Sequence, residues 1–143
     1  MLELIGDVDG KTVLDAGCGS GFYSISLAEQ GAIVSGIDVS ENMIDLAKKN
    51  SDLLSADCKF FDGNIQDLSI FESNIFDLVT SSIVVGYVDD MEKTFSEVHR
   101  VLKPNGIFTF SENHPILTSR KDGWERDREG EKLILISIST LIV

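Results

Sequence analysis

The stretch Thr12-Val13-Leu14-Asp15-Ala16-Gly17-Cys18-Gly19-Ser20-Gly21-Phe22 sets the reading of the chain. A short apolar run, Thr12 to Leu14, stops at an aspartate and three alternating glycines, and Phe22 to Glu29 then reads as a helix closed by Gly31. The order is strand, tight loop, helix. Glycine at 17, 19 and 21 removes side chains where the backbone must turn sharply. It also lets a ligand lie against amides near a helix N-terminus, a place suited to a carboxylate or phosphate. Any tight strand-to-helix turn favours the same residues, so the neighbouring segments decide between the two readings.

Downstream the pattern repeats. Ala32 to Ile37 form a second apolar run, Asp38 ends it, and Ser40 is placed to N-cap a helix through about Lys49. A third strand is expected at Cys58 to Phe61. After a short loop-like segment comes a fourth at Phe76 to Ser82, whose near-continuous apolar character fits a sheet buried on both faces. Met91, Phe95, Val98 and Leu102 recur at helical spacing, and Pro104-Asn105-Gly106 interrupts before a fifth strand at Ile107 to Phe110. Strands alternating with helices predict an α/β fold, a doubly wound and mostly parallel sheet, because parallel strands need crossover connections. Ligands of such sheets bind beyond the carboxyl ends of the strands, where both the Asp15 to Gly21 loop and Asp38 fall. Asp38 is placed as an acceptor for both hydroxyls of a ribose, the other reading being a solvated strand-end carboxylate.

With these segments in hand, Val13-Leu14-Asp15-Ala16-Gly17-Cys18-Gly19-Ser20-Gly21 resembles the first signature motif of class I S-adenosylmethionine-dependent methyltransferases, Val-Leu-Asp-x-Gly-x-Gly-x-Gly. The resemblance is to the small-molecule branch, like the ubiquinone-biosynthesis methyltransferases. It continues through Gly36-Ile37-Asp38-Val39-Ser40, Phe76-Asp77-Leu78-Val79 with Ser81 and Ser82, and Arg100-Val101-Leu102-Lys103-Pro104-Asn105-Gly106, spanning about residues 11 to 112. It implies S-adenosylmethionine as cofactor, with Asp15, Ala16, Gly17, Cys18, Gly19 and Gly21 around its methionine end and Asp38 on its ribose. Tyr23, Val39, Met43 and Ser81 border the same expected site, and Val85-Gly86-Tyr87, after the fourth strand, borders the substrate mouth, core packing being the other reading of Tyr23 and of this segment. Relatives offer an aspartate to the adenine amino group after the third strand. Here Gly63-Asn64-Ile65 stands there, so Asn64 accepts through a neutral amide oxygen and Ile65 meets the ring.

Methyl transfer is a displacement that mainly requires alignment in a dry site, so no dedicated catalytic residue is required. His114, just past the fifth strand, is the candidate proton acceptor, its alternative role being a structural loop histidine before Pro115. His99, inside an amphipathic helical pattern, reads as structural. The dinucleotide fingerprint Gly-x-Gly-x-x-Gly does not match alternating glycines after an aspartate, which disfavours an NAD-dependent oxidoreductase. A different alternative is a non-catalytic module that binds S-adenosylmethionine or S-adenosylhomocysteine.

The 143 residues, 43% hydrophobic and 25% charged, suit one compact domain, with a core over residues 11–112 and an atypical part over 113–143. Thr118 to Glu131 is polar, and Leu133 to Val143 reads as one long β-rich run, so the C-terminal part looks abbreviated. Such a run should add to the sheet or pair with a second copy, which points to a homodimer or edge pairing. The net charge of −12 disfavours a nucleic-acid partner. No apolar stretch approaches membrane-spanning length and no signal peptide is evident, so a cytoplasmic location and a small-molecule acceptor are expected. Cys18 and Cys58 have neither disulfide-framework nor metal-ligand spacing.

Overall fold

The computed structural model describes residues 5–113, 125–126, 132–133 and 136–142. His114 and Trp124 lie outside the described residues. Strand β1 (Thr12–Ala16) leads through the glycine loop to helix α1 (Phe22–Glu29). Then follow β2 (Ile33–Asp38), α2 (Glu41–Leu54), β3 (Cys58–Asp62), β4 (Phe76–Ser82), a single 3-10 turn (Val85–Tyr87), α3 (Met91–Val101) and β5 (Leu102–Asn113). Two-residue strands β6 (Glu125–Arg126) and β7 (Lys132–Leu133) form a small antiparallel ribbon, and β8 (Ile136–Ile142) returns to the main sheet.

That sheet has the order β3-β2-β1-β4-β5-β8. The first five strands run parallel, and β8 pairs antiparallel with β5, from Ile107 opposite Ile142 to Asn113 opposite Ile136. The C-terminal run thus adds to its own chain's sheet. After β3 the chain crosses to the other side of β1, so the order reverses between β1 and β4 and opens a crevice above their carboxyl ends. Val13, Leu78 and Val34 bury one face against Leu27, and Leu14, Val79 and Phe108 bury the other against Val85, Val98 and Leu68. Alternation along each strand therefore sends Asp15 and Thr80 to the α1 side, and Ser81 and Glu112 to the side of α3 and the 3-10 turn.

Several element ends differ from the sequence expectation. Helix α2 runs five residues past Lys49, because buried Ser51 continues the packed face, and it closes at Ser55 in the left-handed region. Ser40 sits at the N-cap of α2, yet its side chain makes no capping bond. The Asp38 carboxylate instead accepts from the Ser40 amide at 2.9 Å. Strand β5 is longer at both ends, since Asn105 adopts φ +64° and absorbs Pro104-Asn105-Gly106 as an irregularity in the ladder with β4. The segment between β3 and β4 is more than a connector, for Ile65, Leu68 and Phe71 are core residues.

Candidate functional site

The carboxyl ends of β1, β2 and β4 surround a cavity of about 300 Å³. Gly17, Ile37, Asp38 and Val39 form one side, residues 63–66 the second, and Ile83, Val84, Tyr87, Val88 and Asp89 the third. Local sequence explains each wall. Asp38 ends β2 beside β1, and the following turn places Val39 over the opening with 67% of its surface exposed. Ile65 is turned inward by a short Asx turn in which the Asn64 Oδ1 accepts from the Gln66 amide at 2.9 Å. Arg100 holds this turn from α3, donating to the Leu68 carbonyl at 2.8 Å and the Phe71 carbonyl at 2.9 Å.

The glycine loop works differently from a row of free amides. The Gly17 and Cys18 amides both donate to the Ile37 carbonyl, at 2.7 and 3.0 Å, and the Gly19 amide donates to Asp38 Oδ2 at 2.9 Å. These bonds pin the loop to the end of β2. The glycine contribution is space: at Gly19, with φ +52°, a Cβ would meet nothing within 4 Å, whereas at Gly17 it would collide with Val84. Gly21 serves helix packing, since a Cβ there would crowd Ala47 and Phe60 at 3.1 Å.

Asp15 is fully buried beneath the loop and accepts from the Ser24 hydroxyl at 2.6 Å. Burial pushes its carboxyl up to about 6, opposed by the Ser24 bonds and reinforced by the charge of Asp38. Burial likewise raises the Cys18 thiol, helped by Asp15 and Asp38, which keeps it protonated and unreactive. Asp38 is partly exposed, and the two amides it accepts leave lone pairs free on its carboxylate for further donors.

Among the residues expected from sequence, Gly17, Asp38, Val39, Asn64 and Ile65 line the cavity together. Asp15, Ala16 and Cys18 are buried, and with Gly19, Tyr23 and Met43 they lie outside the lining. Tyr23 packs edge-on against Phe22. Ser81 is fully buried, with its hydroxyl unpartnered. His99 is exposed in the last turn of α3. The sequence reading missed Gln66, Ile83, Val84, Val88 and Asp89, and gave Tyr87 only as a residue bordering a substrate mouth. Ile83 stands at φ +57°, a conformation costing about 1–2 kcal/mol for a β-branched residue, and its amide donates to the Ser111 carbonyl at 2.7 Å. That kink turns the chain out of β4 and over the crevice, and no local sequence signal announces it. A larger groove of about 460 Å³, between α1 and α2, is lined by Phe22, Ile25, Leu53 and Leu54 and lies away from the strand ends.

Residues 14–110 match the methyltransferase-domain family. An uncharacterized protein of Haemophilus influenzae is 35% identical over 93% of this chain and 55% of its own length. A ubiquinone biosynthesis O-methyltransferase of Coxiella burnetii is 36% identical over 71% of this chain and 43% of its own. Among solved structures, an S-adenosylmethionine-dependent methyltransferase from Mesorhizobium loti superimposes with TM-score 0.77 at 32% identity, covering 95% of this chain and 62% of that one. A putative counterpart from Listeria monocytogenes gives 0.75 at 35% identity, covering 92% and 62%. The chain spans about half the length of the curated relatives it matches.

Proposed function

Because the chain belongs to the class I S-adenosylmethionine-dependent methyltransferases, we propose that it transfers a methyl group to a small-molecule acceptor, using the cavity above β1, β2 and β4 to hold the cofactor. The observation that carries this reading is the composition of the cavity walls. A carboxylate with spare lone pairs, Asp38, stands beside apolar Val39 and across the cavity from apolar Ile65, and the bare Gly17 leaves room beneath Val84. Those features fit a ribose and a flat heteroaromatic ring side by side, while the buried Asp15 carboxylate lends negative potential beneath a cationic sulfonium. When bound, S-adenosylmethionine supplies an activated methyl group.

The chain's own residues bind, orient and exclude water. Asp38 accepts the ribose hydroxyls, Val39 and Ile65 sandwich the adenine, and Asn64 offers its amide oxygen to the adenine edge. Ala16, Cys18 and Gly21 keep the loop in shape. Tyr87, 75% exposed at the mouth, is placed to close over a ligand. Two relatives are named as O-methyltransferases, one of ubiquinone biosynthesis and one of malonyl-[acyl-carrier protein], which supports an oxygen acceptor. One domain over residues 1–143, and a homodimer joined through the outer edge of β8, belong to the same reading. Among the described residues no helix is long and apolar enough to cross a membrane.

Calorimetric titration with S-adenosylhomocysteine, S-adenosylmethionine and NAD tests the reading. Micromolar binding of both sulfur ligands with no heat from NAD is expected. NAD binding, or silence from both sulfur ligands, would overturn it.

A further inference from the structure

Among the described residues, two buried side-chain oxygens have no hydrogen-bond partner, Ser81 Oγ and Glu112 Oε1. They are neighbours by construction. Ser81 lies opposite Phe110 in the β4–β5 ladder and Glu112 follows two residues later, so both side chains project from the same face at the carboxyl ends of adjacent strands. Leaving a carboxylate oxygen and a hydroxyl oxygen dry and unpaired is costly, and buried polar groups of folded chains are normally satisfied. Core packing gives no reason for a glutamate at the end of β5, a position where any apolar side chain would serve.

The 3-10 turn over these atoms connects them to the cavity. Val84 and Tyr87 line the cavity, while Gly86 between them leans on Glu112, where a Cβ would stand 2.7 Å from Oε2. Residues of this one turn therefore touch both the cavity and the Glu112 carboxylate. Across the sheet's carboxyl edge, Asp38 on β2 and Glu112 on β5 are separated by three strand spacings, about 14 Å, with Gly17 just past β1 and Ser81 on β4 between them.

The geometry points to Ser81 and Glu112 as the acceptor-side subsite, which binds a methyl acceptor through a hydroxyl group. A carboxylate oxygen only accepts, so its partner must carry an O–H or N–H, and the serine hydroxyl completes the match by donating to or accepting from the same molecule. A hydroxyl suits both, since it donates to Glu112 and accepts from Ser81. An ammonium can donate to both but leaves the Ser81 hydroxyl proton without an acceptor, and a carboxylate is repelled. This inference rests on the methyl-transfer reading above and deepens it by naming the chemical class of the acceptor and the residues that hold it.

The test uses the full chain saturated with S-adenosylhomocysteine. Amide NMR shifts of Gly86, Tyr87 and Glu112 are followed while phenol or 2-phenylethanol is added, with toluene, phenylethylamine and benzoate as controls. The two alcohols are expected to shift these amides saturably and to bind at least 5-fold tighter than any control. Glu112→Gln should weaken them 5-fold or more, and Gly86→Ala, which pushes on the same carboxylate, should do likewise. S-adenosylhomocysteine affinity should stay within 2-fold in Glu112→Gln. Alcohol binding unchanged in Glu112→Gln, no shift at these amides, or preference for a control overturns the subsite. Failure of S-adenosylhomocysteine itself to bind overturns the cofactor reading instead, and is seen before any acceptor probe is added.

Discussion

At the scale of single residues, Asp38 and Asp15 do opposite things with a carboxylate. Asp38 is partly open and already holds the Gly19 and Ser40 amides, so it both shapes the glycine loop and offers lone pairs to a ligand. Asp38→Ala is expected to cost about 1–3 kcal/mol of S-adenosylhomocysteine affinity by calorimetry, and unchanged affinity would remove it from the site. Asp15 is buried, and its carboxyl is raised to about 6 mainly by burial. The folded chain thus holds this proton more tightly than the unfolded chain does. The resulting stability is fully present below about pH 4 and is lost as pH rises through about 6, by roughly 3 kcal/mol in all. In cofactor-free protein, Asp15→Asn should therefore raise the unfolding free energy relative to wild type at pH 8 and leave it nearly unchanged at pH 4. An equal shift at both pH values would contradict the burial account.

Among the elements, the segment between β3 and β4 shows how a stretch without regular structure is made rigid. Arg100 on α3 donates to the Leu68 and Phe71 carbonyls, while Glu97 both pairs with Arg100 at 2.8 Å and accepts from the Leu68 amide at 2.7 Å. This clamp draws Glu97 below the usual carboxylate range and fixes the segment whose start, residues 63–66, forms one wall of the cavity. Arg100→Ala removes a donor from the Leu68 and Phe71 carbonyls and from the Glu97 carboxylate, and about 1–3 kcal/mol of local stability should go with it. Hydrogen exchange should accelerate at Leu68 and Phe71 before it does in β1 or β4, whereas uniform acceleration would mean a global effect. The motif segment Arg100 to Gly106 was legible in the sequence as a family feature. That its arginine braces the segment behind this cavity wall was not, because the partners are backbone carbonyls about 30 residues away.

For the whole molecule, the sheet separates a ligand end from a bracing end. At the amino ends of β1 and β4, Lys103 donates to both Asp77 oxygens at 2.9 Å, and Thr12 donates to Asp77 through its amide and hydroxyl. Partial burial pushes the Asp77 carboxyl up, but the Lys103 and Thr12 bonds prevail and hold it down at about 2. A depressed carboxylate contributes stability above about pH 4 that is lost as pH falls through about 2. Lys103 and Asp77 are 40% and 33% exposed, so solvent screens the pair and the contribution is about 1 kcal/mol at most. Lys103→Ala should lower the melting temperature by a few degrees at pH 7, with S-adenosylhomocysteine affinity unaltered. A loss of ligand affinity would show the two ends to be coupled. The interior is less forgiving, and Phe108→Ala, at a site with no exposed surface between Phe95 and Phe110, should cost about 3–5 kcal/mol in denaturant unfolding.

The sequence by itself determined the α/β order, the parallel sheet and the loop that marks the ligand end, because these depend on hydrophobic periodicity and on glycines at fixed spacing within about ten residues. It also carried Asp38 into the cavity wall, from where a strand stops, and the family resemblance added Asn64 and Ile65. Only the tertiary structure decided that the loop amides are spent on Ile37 and Asp38, that Ile83 kinks into the left-handed region, and that Ser81 and Glu112 share one sheet face with Glu112 against Gly86. Those facts depend on which strands become neighbours and in what register. Pairing between β4 and β5 brings together residues about 30 positions apart, a distance over which the local pattern of polar and apolar side chains carries no information.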